Sequence, residues 1–125
     1  MNYEEFNNFC GALAATSYVM QWGGSHVWKV GGKVFAIGSS YAGKPAYSFK
    51  VSDNNFHFLE NKSGYRPAPY LASRGMKWIQ QYEGETSQDE ELQHYLIDSH
   101  RIVALGLTKK LQRELGLNSP AGRGP

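Results

Sequence analysis

Residues 29–77 combine basic side chains with aromatic rings in a pattern that suits contact with nucleic acid. This stretch contains eight lysines and arginines but only two acidic residues, Asp53 and Glu60, which gives it a net charge of +6. Basic side chains neutralise phosphates, and aromatic rings stack on unpaired bases. The rings in and beside the stretch include Trp28, Tyr41, Tyr47, Tyr65, Tyr70 and Trp78. The stretch is therefore a candidate surface for binding a sugar–phosphate backbone.

The charge of the rest of the chain limits how strong such binding would be. Residues 1–28 carry a net charge of −2, residues 83–98 carry −6 and residues 101–123 carry +4. The whole chain has a net charge of +2 and a pI of about 8.7, below the value of about 9 that marks a strongly basic binding domain. The pattern predicts weak, sequence-tolerant binding. A second interpretation remains open, in which the basic and acidic segments attract each other within the molecule and keep it soluble.

The side chains suited to catalysis or metal binding do not form a recognisable site. The candidates are Cys10, His26, His57, His94, Asp98 and His100. His94 and Asp98 share a helix face, a spacing more typical of a solvated pair, and no spacing matches a zinc site. The glycine pairs 23–24 and 31–32 indicate hairpin turns rather than a phosphate-binding loop. We therefore predict no enzymatic activity, no metal and no cofactor.

Length and composition indicate one small domain. A chain of 125 residues can bury a core without disulfides, and its single cysteine excludes an intramolecular one. It shows neither a charged-then-apolar leader nor an apolar run long enough to span a membrane. We expect a cytoplasmic protein without membrane association, with one domain over residues 1–117 and a disordered tail over residues 118–125.

The central element is a β-hairpin over residues 26–37. Two runs of β-branched and aromatic residues flank Gly31-Gly32, and glycine is favoured in two-residue hairpin loops. With these glycines as the loop, Trp28 lies opposite Phe35 and His26 lies opposite Ile37. Because side chains alternate faces along a strand, the hairpin acquires a core face and a face that solvent can reach. The core face comprises Trp28, Val30, Phe35 and Ile37, and the other face comprises Val27, Lys29, Val34 and Ala36.

Helices and further strands surround this hairpin. Capping-box spacing predicts helix starts at Asn2–Glu5 and at Ser87–Glu90, and Ser52 or Asp53 and Thr108 can cap shorter helices. The predicted strands are residues 18–22, 45–51 and 76–82, with Lys50 on a polar face, whereas residues 38–44 and 64–70 are expected to be a loop and an extended connection. Strands joined by hairpins, with helices at the ends, predict an α+β fold with an antiparallel sheet of four or five strands.

Several of these segments together resemble the MmcQ/YjbR-like family over residues 5–116. The similarity is carried by HVWKVGGKVFA (26–36), SFKV (48–51), RPAPYL (66–71), KWI (77–79) and LTKKL (107–111). The resemblance implies a frataxin-like or secretion-chaperone-like α+β domain. It also implies a bacterial DNA-binding protein with a double-wing arrangement.

The resemblance assigns the hairpin as a wing, with Lys29 and Lys33 on phosphates. Lys50, Arg66, Arg74 and Lys77 would extend this basic hairpin and sheet face. The function expected is non-enzymatic, weak DNA binding. The alternative is a protein-interaction or chaperone-like module that accepts a strand at an open sheet edge, including self-association as a homodimer, with no role in nucleic-acid binding.

Overall fold

The computed structural model describes residues 1–117, so the predicted tail over residues 118–125 lies outside the described part of the chain. The helices are α1 (Tyr3–Gly11), α2 (Asp53–Leu59), α3 (Asp89–Leu105) and α4 (Lys109–Glu114), with 3-10 turns at Ala72–Arg74 and Thr86–Gln88. The strands are β1 (Thr16–Gln21), β2 (Ser25–Val30), β3 (Lys33–Tyr41), β4 (Lys44–Lys50), β5 (Tyr65–Pro67) and β6 (Trp78–Gln81).

The strands form one antiparallel sheet in the order β1-β2-β3-β4-β6-β5. The predicted α+β class is confirmed, but the sheet has six strands rather than four or five. The additional strand is β5, which lies in the segment predicted to be an extended connection. It is three residues long and forms the sheet edge, where a proline such as Pro67 costs little because no further strand needs its missing N–H.

The helices pack on one face of the sheet, which we call the helix face. The core cluster joins Phe6 of α1, Leu59 of α2 and Leu96 of α3 to Phe49 of β4 and Ile79 of β6. Tyr47 stacks on Phe6, and Phe49 stacks on Tyr95 of α3. The opposite side of the sheet, which we call the outer face, carries the residues that alternate with these core residues.

The hairpin differs from its predicted register by a β-bulge. Val30 pairs with Lys33 as predicted, but Trp28 pairs with Ala36 and His26 with Gly38, because the register shifts between Trp28 and Lys29. The extra residue is Phe35, and a bulge turns two successive side chains toward one side. Phe35 and Ala36 therefore both join the core cluster, whereas Ile37 pairs with Val27 on the outer face. The predicted faces were wrong for Ala36 and Ile37 and right for the other six residues.

The segment predicted as a loop over residues 38–44 is a second tight hairpin. Strand β3 continues to Tyr41, β4 begins at Lys44, and these two residues pair across Ala42-Gly43. Ala42 has a φ of +51° and Gly43 a φ of +78°, as a two-residue turn of this kind requires. Alanine rarely adopts a positive φ, which is why the sequence concealed this turn.

The helix caps follow the sequence closely, with one exception. The Asn2–Glu5 capping box is present, and Ser52 and Thr108 cap α2 and α4. The box predicted at Ser87–Glu90 is wrong, because a 3-10 turn with its own Glu85–Gln88 box precedes α3. No helix within residues 1–117 is long and apolar enough to cross a membrane.

Candidate nucleic-acid interface

Three of the six predicted phosphate-binding residues lie on the outer face. Lys29 follows Val27 in phase on β2, and Lys50 pairs with Trp78 one residue beyond the Phe49–Ile79 core pair. Arg66 pairs with Gln80, which in turn pairs with Ser48. All three side chains are partly exposed. The sheet thus brings together cations from β2, β4 and β5 that are up to 37 residues apart in the chain.

Arg66 belongs to an aromatic stack on this face. Its guanidinium lies 4.1 Å from the Tyr41 ring centroid and 5.2 Å from that of Tyr82, and the two rings meet edge to face at 5.5 Å. Its Nε donates to Gln80 Oε1 at 2.8 Å. These contacts hold the guanidinium in place, and Tyr41 remains exposed at the surface.

Lys33 lies at the tip of the hairpin and lines a groove with Lys50. The groove has a volume of about 210 Å³ and lies where β3 and β4 diverge. Val34, Met76, Trp78 and residues of α3 form its apolar walls. Lys33 pairs with the core residue Val30, so its position in the strand belongs to the helix face. Its side chain nevertheless lines the same groove as that of Lys50.

The other two predicted residues lie apart from this cluster. Arg74 is exposed in the 3-10 turn Ala72–Arg74. Lys77 precedes Trp78 and so faces the helix side, where its ammonium lies 4.8 Å from the Phe56 ring centroid of α2. Lys77 therefore cannot contact a ligand that lies flat on the outer face against Lys29 and Lys50.

The outer face includes two residues, Lys44 and Tyr82, that the sequence did not assign to it. Lys44 pairs with Tyr41 and lies in phase with Ser48 and Lys50, and Tyr82 completes the Arg66 stack. Alternation from Lys50 back through β4 would have predicted the position of Lys44. The unrecognised turn at Ala42-Gly43 is the reason that it was assigned to a loop.

The charge on the sheet has one sign. Lys29, Lys33, Lys44, Lys50 and Arg66 are the charged residues of the six strands, and every acidic residue lies in a helix or a connection. The ion pairs within residues 1–117 involve Asp89, Glu60, Glu91 and Asp98, and none includes a predicted phosphate-binding residue. A phosphate on the outer face would therefore meet unpaired cations.

Three of the side chains considered for catalysis, Cys10, His26 and Asp98, are buried or hydrogen-bonded within the fold. Cys10 is buried in the core, and burial raises the pKa of its thiol to about 12. His26 Nδ1 is hydrogen-bonded to the Tyr18 hydroxyl at 2.8 Å, and Asp98 accepts from Arg101 rather than from His94. In the described part of the chain, no group of three His, Cys, Asp or Glu residues is placed to hold a metal ion.

Comparison with known proteins identifies a matching family model and a similar protein of Escherichia coli. The family model YjbR matches residues 11–102. Uncharacterized protein YbdF of Escherichia coli O157:H7 is 30% identical over 89 residues, which are 71% of this chain and 72% of that protein.

Two solved structures share the fold. Deinococcus radiodurans protein DR2400, with a DUF419 domain, superposes with a TM-score of 0.79 at 22% identity, covering 91% of this chain and 87% of its own. A protein from Pseudomonas syringae superposes with a TM-score of 0.57 at 17% identity, covering 77% of this chain and 96% of its own. At these identities the likeness concerns the fold alone.

Proposed function

The chain belongs to the YjbR family, and we propose that it is a non-enzymatic protein that binds DNA weakly through the outer face of its sheet. The observation that supports this proposal is the arrangement of Lys29, Lys50 and Arg66 on one face of a sheet whose strands contain no acidic residue. The β2–β3 hairpin would be one wing of the double-wing arrangement, with Lys33 at its tip. We also propose that it acts in the bacterial cytoplasm, where DNA is present.

Electrostatics favours this face over the acidic first turn of α3 as a surface for DNA. DNA binding gains most of its sequence-independent free energy when cations neutralise phosphates and release counterions. A cation already paired with a carboxylate contributes less, because the ion pair must first be broken. The lysines of the outer face have no such pair within residues 1–117, whereas the first turn of α3 carries Asp89, Glu90 and Glu91 and would repel DNA.

The Arg66 stack favours contact with unpaired bases. An arginine held against aromatic rings offers a planar cation, and exposed rings stack on bases with little sequence preference. Arg66 is held by Tyr41, Tyr82 and Gln80. We therefore expect duplex and single-stranded DNA both to bind, without marked preference for sequence.

The test is fluorescence anisotropy of labelled duplex and single-stranded DNA across a salt series. The protein is compared with two double variants that change the net charge equally. Lys29→Glu with Lys50→Glu reverses two charges on the outer face. Lys109→Glu with Lys110→Glu reverses two exposed charges on α4 and is the matched control.

The outer-face variant should bind at least about tenfold more weakly at low salt, and its log–log salt slope should fall by about two, since each phosphate contact contributes close to one. The α4 variant should lose much less affinity. Equal losses in the two variants would mean that only net charge matters, and unchanged binding by the outer-face variant would place the DNA elsewhere. Absence of binding at low salt would overturn the proposal.

A further inference from the structure

Strand β1 is an edge of the sheet whose outer side meets no other strand of residues 1–117. The Gly31 N–H donates to the Ala15 carbonyl at 3.3 Å, and residues that bond across an antiparallel ladder alternate along each strand. Ser17, Val19 and Gln21 therefore bond to β2. The N–H and C=O groups of Thr16, Tyr18 and Met20 point outward.

This edge lacks the features that protect most exposed strands. Natural edge strands are shortened, bulged, or interrupted by lysine or proline, because an open edge recruits other strands. Strand β1 has six residues, Thr-Ser-Tyr-Val-Met-Gln, without a charge or a proline, and its register with β2 is unbroken. The opposite edge, β5, has three residues and contains Pro67. Of the two edges, β1 is the one available for pairing.

Large apolar side chains are exposed along the same edge. The exposed fraction is 43% for Tyr18, 56% for Met20 and 60% for Trp22. Trp22 lies in the turn between β1 and β2, and within residues 1–117 its ring is not in the core cluster.

We propose that β1 pairs antiparallel with β1 of a second copy of this chain, joining the two sheets edge to edge. The strand is uncharged, so two copies meet without repulsion along the ladder. A register centred on Tyr18 puts Thr16 opposite Met20 of the partner subunit. The outward N–H and C=O groups of Thr16, Tyr18 and Met20 then find partners in the same groups of the second copy.

The same register also accounts for Trp22. Antiparallel pairing brings Trp22, which follows β1, to the end where β1 of the second copy begins, beside the exposed small residues that precede that strand, Ala12, Ala14 and Ala15. The aromatic ring can cover this segment and lose its exposure to water. Because β5 is too short to accept β1, pairing closes after two copies and yields a dimer rather than a fibre.

The test measures molar mass and amide exchange on the full chain without DNA. Sedimentation over a concentration series should show a shift from 14.0 kDa to twice that mass. Hydrogen exchange should show slow amides at Thr16, Tyr18 and Met20 only at high concentration, and slow amides at Ser17, Val19 and Gln21 throughout.

Two variants test the edge directly. Met20→Lys puts a charge on the uncharged edge, the device by which natural edge strands resist pairing, and should weaken association at least about tenfold. Met20→Pro removes an outward N–H while sparing the bonds to β2, and should act in the same direction. Ile97→Lys, on an exposed apolar residue of α3, is the control and should leave association unchanged.

A chain that stays monomeric at all concentrations, or a dimer that both Met20 variants leave intact, would overturn the proposal. Protection of Tyr18 and Met20 amides only by an added peptide or another protein would also overturn it, and would assign the edge to a different partner. Loss of DNA binding would not affect these results, because Lys29 and Lys50 lie outside β1.

Discussion

At the scale of the residue, Glu91 shows how one carboxylate joins three elements. Glu91, in the first turn of α3, accepts hydrogen bonds from Lys62 Nζ and Tyr65 Oη, both at 2.6 Å. Gln81 of β6 donates to the same Tyr65 oxygen at 3.0 Å. Burial opposes ionisation of Glu91, but these hydrogen bonds and the Lys62 charge outweigh it and hold the pKa of Glu91 below its usual value of 4.5.

This lowered pKa makes stability depend on pH in a defined direction. A carboxyl group with a lower pKa in the folded state stabilises the fold above its unfolded pKa, and the contribution is lost as the pH falls through the folded value. Glu91→Gln should therefore reduce the free energy of unfolding at pH 7 by about 1 kcal/mol, allowing for its partial exposure. The difference in free energy of unfolding between this variant and the unmodified protein should become smaller as the pH falls below 4.5.

Urea denaturation at several pH values measures this effect. Glu90→Gln, in the same helical turn, is the control, because Glu90 is exposed and makes no side-chain hydrogen bond or ion pair within residues 1–117. If the loss in free energy of unfolding caused by Glu91→Gln is the same at every pH, packing rather than the charge of Glu91 stabilises its contacts with Lys62 and Tyr65.

At the scale of the element, α3 joins the sheet where β3 and β4 diverge. The buried Ser99 hydroxyl donates to the Phe35 carbonyl at 2.6 Å and accepts from the Lys50 N–H at 2.8 Å. Phe35 is the extra residue of the bulge, and Lys50 follows the last β3–β4 pair. One side chain thus satisfies two backbone groups that the bulge and the divergence leave without a strand partner.

Ser99→Ala should destabilise the protein by about 2 kcal/mol, because it leaves a buried donor and a buried acceptor without partners. Equilibrium urea unfolding measures this loss. Ser63→Ala, on an exposed turn residue, should change stability by less than about 0.5 kcal/mol. If Ser99→Ala lowers the free energy of unfolding no more than Ser63→Ala does, the bulge does not depend on the Ser99 hydroxyl.

At the scale of the whole molecule, the chain separates its charges by layer. The sheet carries cations only, and the acidic residues lie in the helices and connections. An antiparallel β1–β1 pair has its twofold axis perpendicular to the sheet, so both outer faces would lie on the same side. Such a dimer would offer DNA one basic surface twice as wide.

The two proposals together predict that binding depends on duplex length. The protein should bind a duplex of about 40 base pairs more tightly than one of about 12, because the second outer face then binds at high effective concentration. Met20→Pro, which leaves the charge unchanged, should weaken binding to the long duplex and leave the short duplex unaffected. Fluorescence anisotropy with both duplexes measures these affinities. If Met20→Pro weakens binding to the long and the short duplex equally, the subunits bind DNA independently.

The sequence by itself determined the fold class, the family, the hairpin at Gly31-Gly32 and most of the helix caps. These features depend on local chemistry: alternation along a strand, glycine in a tight turn, and a polar side chain immediately before the first residue of a helix.

Only the tertiary structure decided which residues share the outer face. The bulge at Phe35 moved Ile37 outward and Ala36 inward, the turn at Ala42-Gly43 moved Lys44 onto the face, and the position of Trp78 turned Lys77 toward α2. A single inserted residue reverses the orientation of every side chain after it. Where that insertion falls depends on contacts such as Ser99 with Phe35, which are 64 residues apart.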